Sequence, residues 1–152
     1  MQLTQILTSL GASVLIFSFM NPALGQTNAP NKADEVILDM NQAFKKNDKA
    51  QLSRLLPKAK GHALEPWAAY WELRVRLDQA SDSEIQQFLT QYAGTYAEDR
   101  LRNDWLLQMG RQRDWADFAK EYPRFRMNDD REVRCYALST EAFITKPETA
   151  AE

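Results

Sequence analysis

Apolar residues recur at three- and four-residue spacing through most of this chain. Leu101, Trp105, Leu106 and Met109 form one set, Trp115, Phe118, Ala119 and Tyr122 a second, and Val133, Tyr136, Ala137 and Thr140 a third. Each spacing predicts a helix with one apolar stripe. From Glu98 to Leu138 the order is long helix, short helix, long helix, with breaks only at Gln112-Arg113-Asp114 and from Pro123 to Asp129. Helices joined so tightly are expected to lie antiparallel and side by side.

Upstream, the same reading places a helix at about Asp34 to Lys46, with Val36, Ile37, Met40, Ala43 and Phe44 on one face. Asn47-Asp48 caps a short helix that ends at Leu56 before Pro57, its face made by Leu52, Leu55 and Leu56. Gly61-His62 breaks the pattern. Glu65-Pro66 then opens a long helix to about Gln79, with Pro66 suited to a first turn. Its Trp67, Tyr70, Trp71, Leu73, Val75 and Leu77 make a face wide enough for two neighbours. Ser81-Asp82-Ser83-Glu84 has the form of a capping box before Ile85, Phe88, Leu89 and Tyr92, and Ala93-Gly94-Thr95 closes that helix.

Short and long helices therefore alternate, about seven in all. The fold class expected is all-α, antiparallel helical-hairpin repeats forming an α-solenoid over residues 34–145. Phe88 and Tyr92 recur as Phe118 and Tyr122, Asp99-Arg100 recurs as Asp130-Arg131, and Leu52 and Leu56 form an earlier copy. The period, roughly 30 to 36 residues, is that of helical-hairpin arrays. Such units bury their faces only by stacking, so the last helix, Asp130 to about Ile144, expects a neighbour. The segment 146–152 (Lys146-Pro147-Glu148-Thr149-Ala150-Ala151-Glu152) reads as a disordered tail, with no capping repeat, as in a fragment. An apolar face near Val133, Tyr136 and Ile144 is the expected consequence.

Composition narrows this picture. The 152 residues suit one modest domain; 11% are aromatic and four are Trp, enough for a packed core. Charged residues make up 26% and the net charge is −2, which excludes a global bias towards nucleic acid or anionic membrane. No charged side chain precedes Lys32, and Leu7 to Met20 is mainly apolar. Ala23 and Gly25 are the small residues of a cleavage site before Gln26. Residues 1–25 thus read as a secretory signal peptide with an apolar stretch too short to span a bilayer, although no Lys or Arg precedes it. The alternatives are an uncleaved membrane-surface segment or an apolar helix docked on the domain. Residues 26–33, with Pro30, read as a polar linker. The localisation expected is periplasmic, without stable membrane insertion after cleavage.

Candidate chemistry is sparse. One Cys and one His make no metal site, because zinc needs about four ligands; no cofactor is expected. His62, beside Gly61, is read as an exposed loop histidine, since a catalytic base needs an oriented partner. Glu72 follows Trp71 and could be a general acid if desolvated, but a solvated pair with Arg76, four residues on, is the preferred reading. Asp129-Asp130 is better explained as a helix N-cap than as an acid pair. Arg111, Arg113, Lys120, Arg124 and Arg126 interleave with Trp115, Tyr122 and Phe125, a mixture able to bind single strands. Asp114, Asp117 and Glu121 dilute that charge, Trp115 and Tyr122 fall on the apolar stripe, and export argues against nucleic acid. A solvated basic face that could meet an anionic polymer such as cell wall is the preferred reading. Cys135 is odd in an exported chain: it is either a small buried hydrophobe or half of a pair completed by sequence not included here.

These residues carry a resemblance. Leu56-Pro57 followed by the run Gly61-His62-Ala63-Leu64-Glu65-Pro66-Trp67-Ala68-Ala69-Tyr70-Trp71-Glu72-Leu73 resembles the amino-terminal helical region of the periplasmic soluble lytic murein transglycosylases. So do Phe88-Leu89 with Tyr92, Asp99-Arg100-Leu101-Arg102-Asn103-Asp104-Trp105-Leu106, Arg113-Asp114-Trp115 with Phe118, and Glu132-Val133-Arg134-Cys135-Tyr136-Ala137. The resemblance covers about Ala33 to Leu138. It implies a U-shaped α-superhelix ahead of a lysozyme-like catalytic domain that cleaves peptidoglycan glycan strands to a 1,6-anhydro product. One Glu, in a Glu-Ser pair, acts there as acid and then base, with a Gly-Leu-Met-Gln run further on. This chain contains neither motif, so no catalytic, cofactor-binding or metal-binding residue carries over, and the chain alone is expected to be inactive. The resemblance also implies that Cys135 pairs with a cysteine of following hairpins. The alternative function is a stand-alone periplasmic tetratricopeptide-like adaptor for other proteins.

Overall fold

A computed structural model of the chain describes residues 31–145 and, of their side chains, those through Thr140. The signal peptide read at 1–25, the tail read at 146–152 and the side chain of Ile144 lie outside this range. All seven helices expected are found, and the described residues contain no strand. They are α1 (Lys32–Lys45), α2 (Lys49–Leu55), α3 (Glu65–Arg74), α4 (Asp82–Gln91), α5 (Tyr96–Gln112), α6 (Trp115–Glu121) and α7 (Arg131–Thr145). Short 3-10 turns follow α2, α3 and α6 at Leu56–Ala59, Leu77–Gln79 and Tyr122–Arg124.

Local chemistry accounts for most of the boundaries. Helix α1 starts inside the segment read as linker, because Asn31 caps it. The Asn31 side chain accepts from the N–H groups of Ala33 (2.8 Å) and Asp34 (3.0 Å), while the Asp34 carboxylate accepts from Asn31 N–H (3.3 Å). Asp48, Ser81, Thr95, Asp114 and Asp130 accept from N–H groups in the first turns of α2, α4, α5, α6 and α7. Between α5 and α6, Arg113 takes a left-handed conformation at φ 59°, which lets two helices reverse over two residues.

The expected long helix to Gln79 stops at Arg74. No proline or glycine breaks it. Beyond Arg74 the ladder tightens, with Arg76 N–H bonding to Leu73 O at 3.2 Å. The turn carries Leu77 into the core and sets Arg76 between Glu72 and Glu84. The Ser81 hydroxyl caps α4 as expected, while the Glu84 carboxylate takes Arg76 at 2.6 Å.

The long helices α1, α3, α5 and α7 pack on one another in chain order, and α2 and α6 each lie across two of them. A register of 33 residues runs through this arrangement. Asp48, Ser81 and Asp114 are the N-caps of α2, α4 and α6. Leu52, Ile85 and Phe118, one turn in, are almost wholly buried. Gly61 and Gly94 both have φ above +75°, and each donates its N–H to the glutamate four residues on, Glu65 at 2.6 Å and Glu98 at 3.1 Å. The pairing of Phe88 with Phe118 suggested by the sequence is three residues out of this register, because α4 is one turn longer than α6. Both aromatic pairs nevertheless form, Phe88 on Tyr92 and Phe118 on Tyr122.

Helix α5 departs most from its expected single stripe. It is enclosed by α3, α4, α6 and α7, so its polar side is buried as well: Glu98, Asp99, Arg102, Asn103 and Asp104 are all at or below 6% exposed. Burial of that kind requires pairing. Arg102 ion-pairs with Glu98 on its own helix and with Glu121 on α6. Glu121 also takes Gln86 of α4 and Arg124. The Asp99 carboxylate accepts from the backbone N–H groups of Arg126 (3.0 Å) and Met127 (2.7 Å), which pins the link before α7.

Among the described side chains, the apolar face expected on α7 at Val133 and Tyr136 is covered. Val133 is fully buried, and Tyr136 is half-buried against Gly110 and within ring contact of Trp115 and Phe118. Among the described side chains of α7, Leu138 is the large apolar one left exposed. Cys135 is exposed too, which removes the reading of it as a small buried hydrophobe.

Candidate functional site

A cleft of about 740 Å³ lies along the long helices. The end of α1 supplies Phe44 and Asn47; α3 and its following turn supply Tyr70, Arg74, Leu77 and Asp78; α5 supplies Arg100, Asp104, Gln108 and Arg111. Helical geometry explains the last set, since positions three and four apart share a face. Tyr70 is held by the core, with Trp67 edge-on at 5.5 Å and Phe44 at 6.2 Å between ring centres.

The polar centre of the cleft joins α3 to α5. The Tyr70 hydroxyl donates to Asp104 Oδ2 at 2.7 Å, and Arg74 Nε meets the same oxygen at 2.9 Å. Asp104 is 6% exposed and Tyr70 is equally buried, so this charge-assisted bond works in a poorly solvated place. Burial, then the Asp104 charge and hydrogen bond, push the Tyr70 hydroxyl up to about 12, against the opposing pull of Arg100. Burial would lower the Arg100 guanidinium, but Tyr70 and Asp104 hold it above its ordinary value. Among the described residues, no carboxylate stands within ion-pair distance of Arg100, and Arg111 has only a loose pair with Glu132 at 3.9 Å.

Tyr92 behaves like Tyr70: burial and a 3.1 Å bond to Glu65 raise it to about 12. A raised tyrosine keeps its proton longer in the folded chain than in the unfolded one. The stability from both residues is therefore fully present below pH 10 and is lost as pH rises from about 10 to 12. Ultraviolet titration is expected to show a class of tyrosinate forming near 12, diminished by Tyr70→Phe. Ordinary titration of every tyrosine near 10 would contradict the buried bond.

The residues singled out in the sequence are elsewhere. His62 is not an exposed loop histidine: its side chain is 17% exposed and bridges two elements. Leu64 N–H donates to His62 Nδ1 at 3.0 Å, so Nε2 carries the proton of the neutral ring and donates to Asp34 Oδ1 at 3.0 Å. That bond, with a second from Asn31, lowers the Asp34 carboxyl. His62 has the oriented partner that a base requires, but both ring nitrogens are spent tying the α3 entry to α1. Glu72 does pair with Arg76, through two bonds of 2.8 Å, and also accepts from the Ser53 hydroxyl. It is buried rather than solvated, because α2 packs on α3 there and Ser53 and Arg76 cover it. It lines a separate space of about 410 Å³ with Glu65, Arg76, Glu84 and Tyr92.

Asp130 caps α7, accepting from Glu132 (2.8 Å) and Val133 (3.2 Å) N–H groups, as expected. The five basic residues do not gather with the aromatics. Lys120 is bound to Asp117, Arg124 to Glu121 and Arg126 to Glu98, while Arg111 faces the cleft. Phe125 is buried, Tyr122 stacks on Phe118 and Trp115 is half-buried. Sequence reasoning missed the Tyr70, Arg74, Arg100 and Asp104 cluster. The available signal was polar residues four apart, Tyr70 with Arg74 and Arg100 with Asp104, within aromatic helices; their meeting across 34 residues depends on how α3 docks on α5.

Comparison with models of known protein families, with curated proteins and with solved structures finds no match to this chain.

Proposed function

We propose that this chain is a scaffold of stacked helical hairpins, the non-catalytic amino-terminal part of a periplasmic soluble lytic transglycosylase that acts on peptidoglycan. The observation that carries the reading is the 33-residue register of caps, buried apolar positions and glycine–glutamate turns. A hairpin repeated in register builds an extended wall, and walls of this kind serve as binding surfaces. The ordered motifs from Gly61 to Ala137 supply the family, and the apolar stretch ahead of Gln26 supplies the route of export. The cleft on the long-helix row is where such a wall would meet a ligand.

The test uses purified murein sacculi. The chain is expected to sediment with sacculi and to release no 1,6-anhydro muropeptide. Release of anhydro product would overturn the non-catalytic assignment. Failure to sediment at low salt would overturn the peptidoglycan reading in favour of a protein-binding adaptor. Processing before Gln26, read by amino-terminal sequencing of the exported chain, tests the localisation.

A further inference from the structure

We propose that the cleft between α1, α3 and α5 binds an acidic saccharide, its carboxylate on Arg100 within the field of Arg111 and its hydroxyls on Asp104, Gln108 and Asn47. The proposal deepens the reading of the chain as a glycan-facing scaffold and rests on it. Three observations lead here. The first is size: about 740 Å³ falls within the range of roughly 300–1,000 Å³ typical of small-molecule sites.

The second is charge. Arg74, Arg100 and Arg111 line the space against Asp78 and Asp104. Asp104 spends Oδ2 on both Tyr70 and Arg74. Arg100 has no carboxylate within ion-pair distance among the described residues and feels the Asp104 charge only through space. A half-buried guanidinium with no direct ion pair is a ready anion site, and its planar fork matches a carboxylate. Arg111 stands eleven residues on, on the same face of α5, and its contact with Glu132 is loose.

The third is the lining between these cations. The close contacts of Asp104 use Oδ2, its carboxylate lines the cleft, and Asn47, Gln108 and Gln112 add amides. An apolar acid would leave those groups unpaired at a cost. A ligand with hydroxyls beside its carboxylate satisfies them, and Phe44 offers an aromatic wall for a sugar face.

The probes are glucuronate, glucose and inorganic phosphate, titrated into the chain and followed by Trp fluorescence and calorimetry. Glucuronate is expected to bind saturably in the millimolar range, and glucose, which lacks the carboxylate, about tenfold or more weakly. Arg100→Gln is expected to weaken glucuronate about tenfold and Arg111→Gln severalfold, with the helical circular dichroism and melting of both variants unchanged. If Arg100→Gln fails to fold, Arg111→Gln alone carries the test. Equal binding of glucose and glucuronate, equal binding of phosphate, or no effect of the folded variants would overturn the proposal. Sacculus binding that survives in Arg100→Gln would place the failure in this site alone. Absence of sacculus binding together with intact glucuronate binding would place it in the scaffold reading.

Discussion

Replacing Arg102 with Met is expected to destabilise the chain by about 3–5 kcal/mol, the usual cost of leaving buried charges without their partner. Arg102, Glu98 and Glu121 have side chains 7%, 6% and 4% exposed in their ion pairs. Water screens little at that depth, so added salt is expected to change the loss only slightly. Most single domains have about 5–15 kcal/mol in total, which puts this variant near the edge of folding. Urea unfolding followed by circular dichroism measures the loss.

Two companions separate charge from packing. Arg102→Lys retains one positive charge but not the fork that reaches α5 and α6 together, and its loss is expected to fall between the two. Adding Glu121→Gln to Arg102→Met should recover part of the loss, because one unpaired carboxylate is then gone. A loss below about 1 kcal/mol for Arg102→Met would show that the pair behaves like an exposed one.

Gly110→Ala is expected to destabilise by roughly 1–3 kcal/mol, the range for overpacking. The sign is the informative part. Ala in place of Gly inside a helix ordinarily gains about 1 kcal/mol. Gly110 lies in the last turns of α5 and is buried. A methyl there would overlap the Tyr136 ring of α7. The ring is wedged between Trp115, Phe118 and the α5 backbone, so relief requires α7 to move. Hydrogen exchange in 131–145 should therefore accelerate more than exchange in α1. Tyr136→Ala in the same chain should restore the ordinary benefit of alanine. Unchanged α7 protection in Gly110→Ala would mean that Tyr136 swings aside freely.

Both predictions concern features that periodicity could not show. An apolar spacing of three and four identifies a helix and its inward face, and it placed α1, α2, α4, α6 and the body of α5 within a few residues. It assigns polar residues on the other side to solvent by default. Glu98, Asp99, Arg102 and Asp104 break that default because α3, α4, α6 and α7 all pack on α5. Glu72, on α3, breaks it because α2 packs against it through Ser53. Val133 looked like part of an uncovered face and proved to be core, since α7 packs on α5 and α6.

The candidate site was the least legible part. Tyr70 and Asp104 lie 34 residues apart and meet through the docking of two long helices. His62 and Asp34, 28 apart, meet through the return of the chain to the start of α1. In each case a local pattern gave the residue type and no hint of its partner.

What the sequence determined by itself was local: the helical class, the caps at Asn47-Asp48, Ser81 and Asp130, and the breaks at Pro57, Gly61, Gly94 and Pro123. Caps, glycines and apolar spacing act within a few residues of chain, so they can be read along it. Only the tertiary structure decided which polar groups were buried, which cations were left without a close ion pair, and that α3 stops at Arg74. Those outcomes depend on distance through space and on how much water the packed helices leave, and neither quantity is written in the order of neighbouring residues.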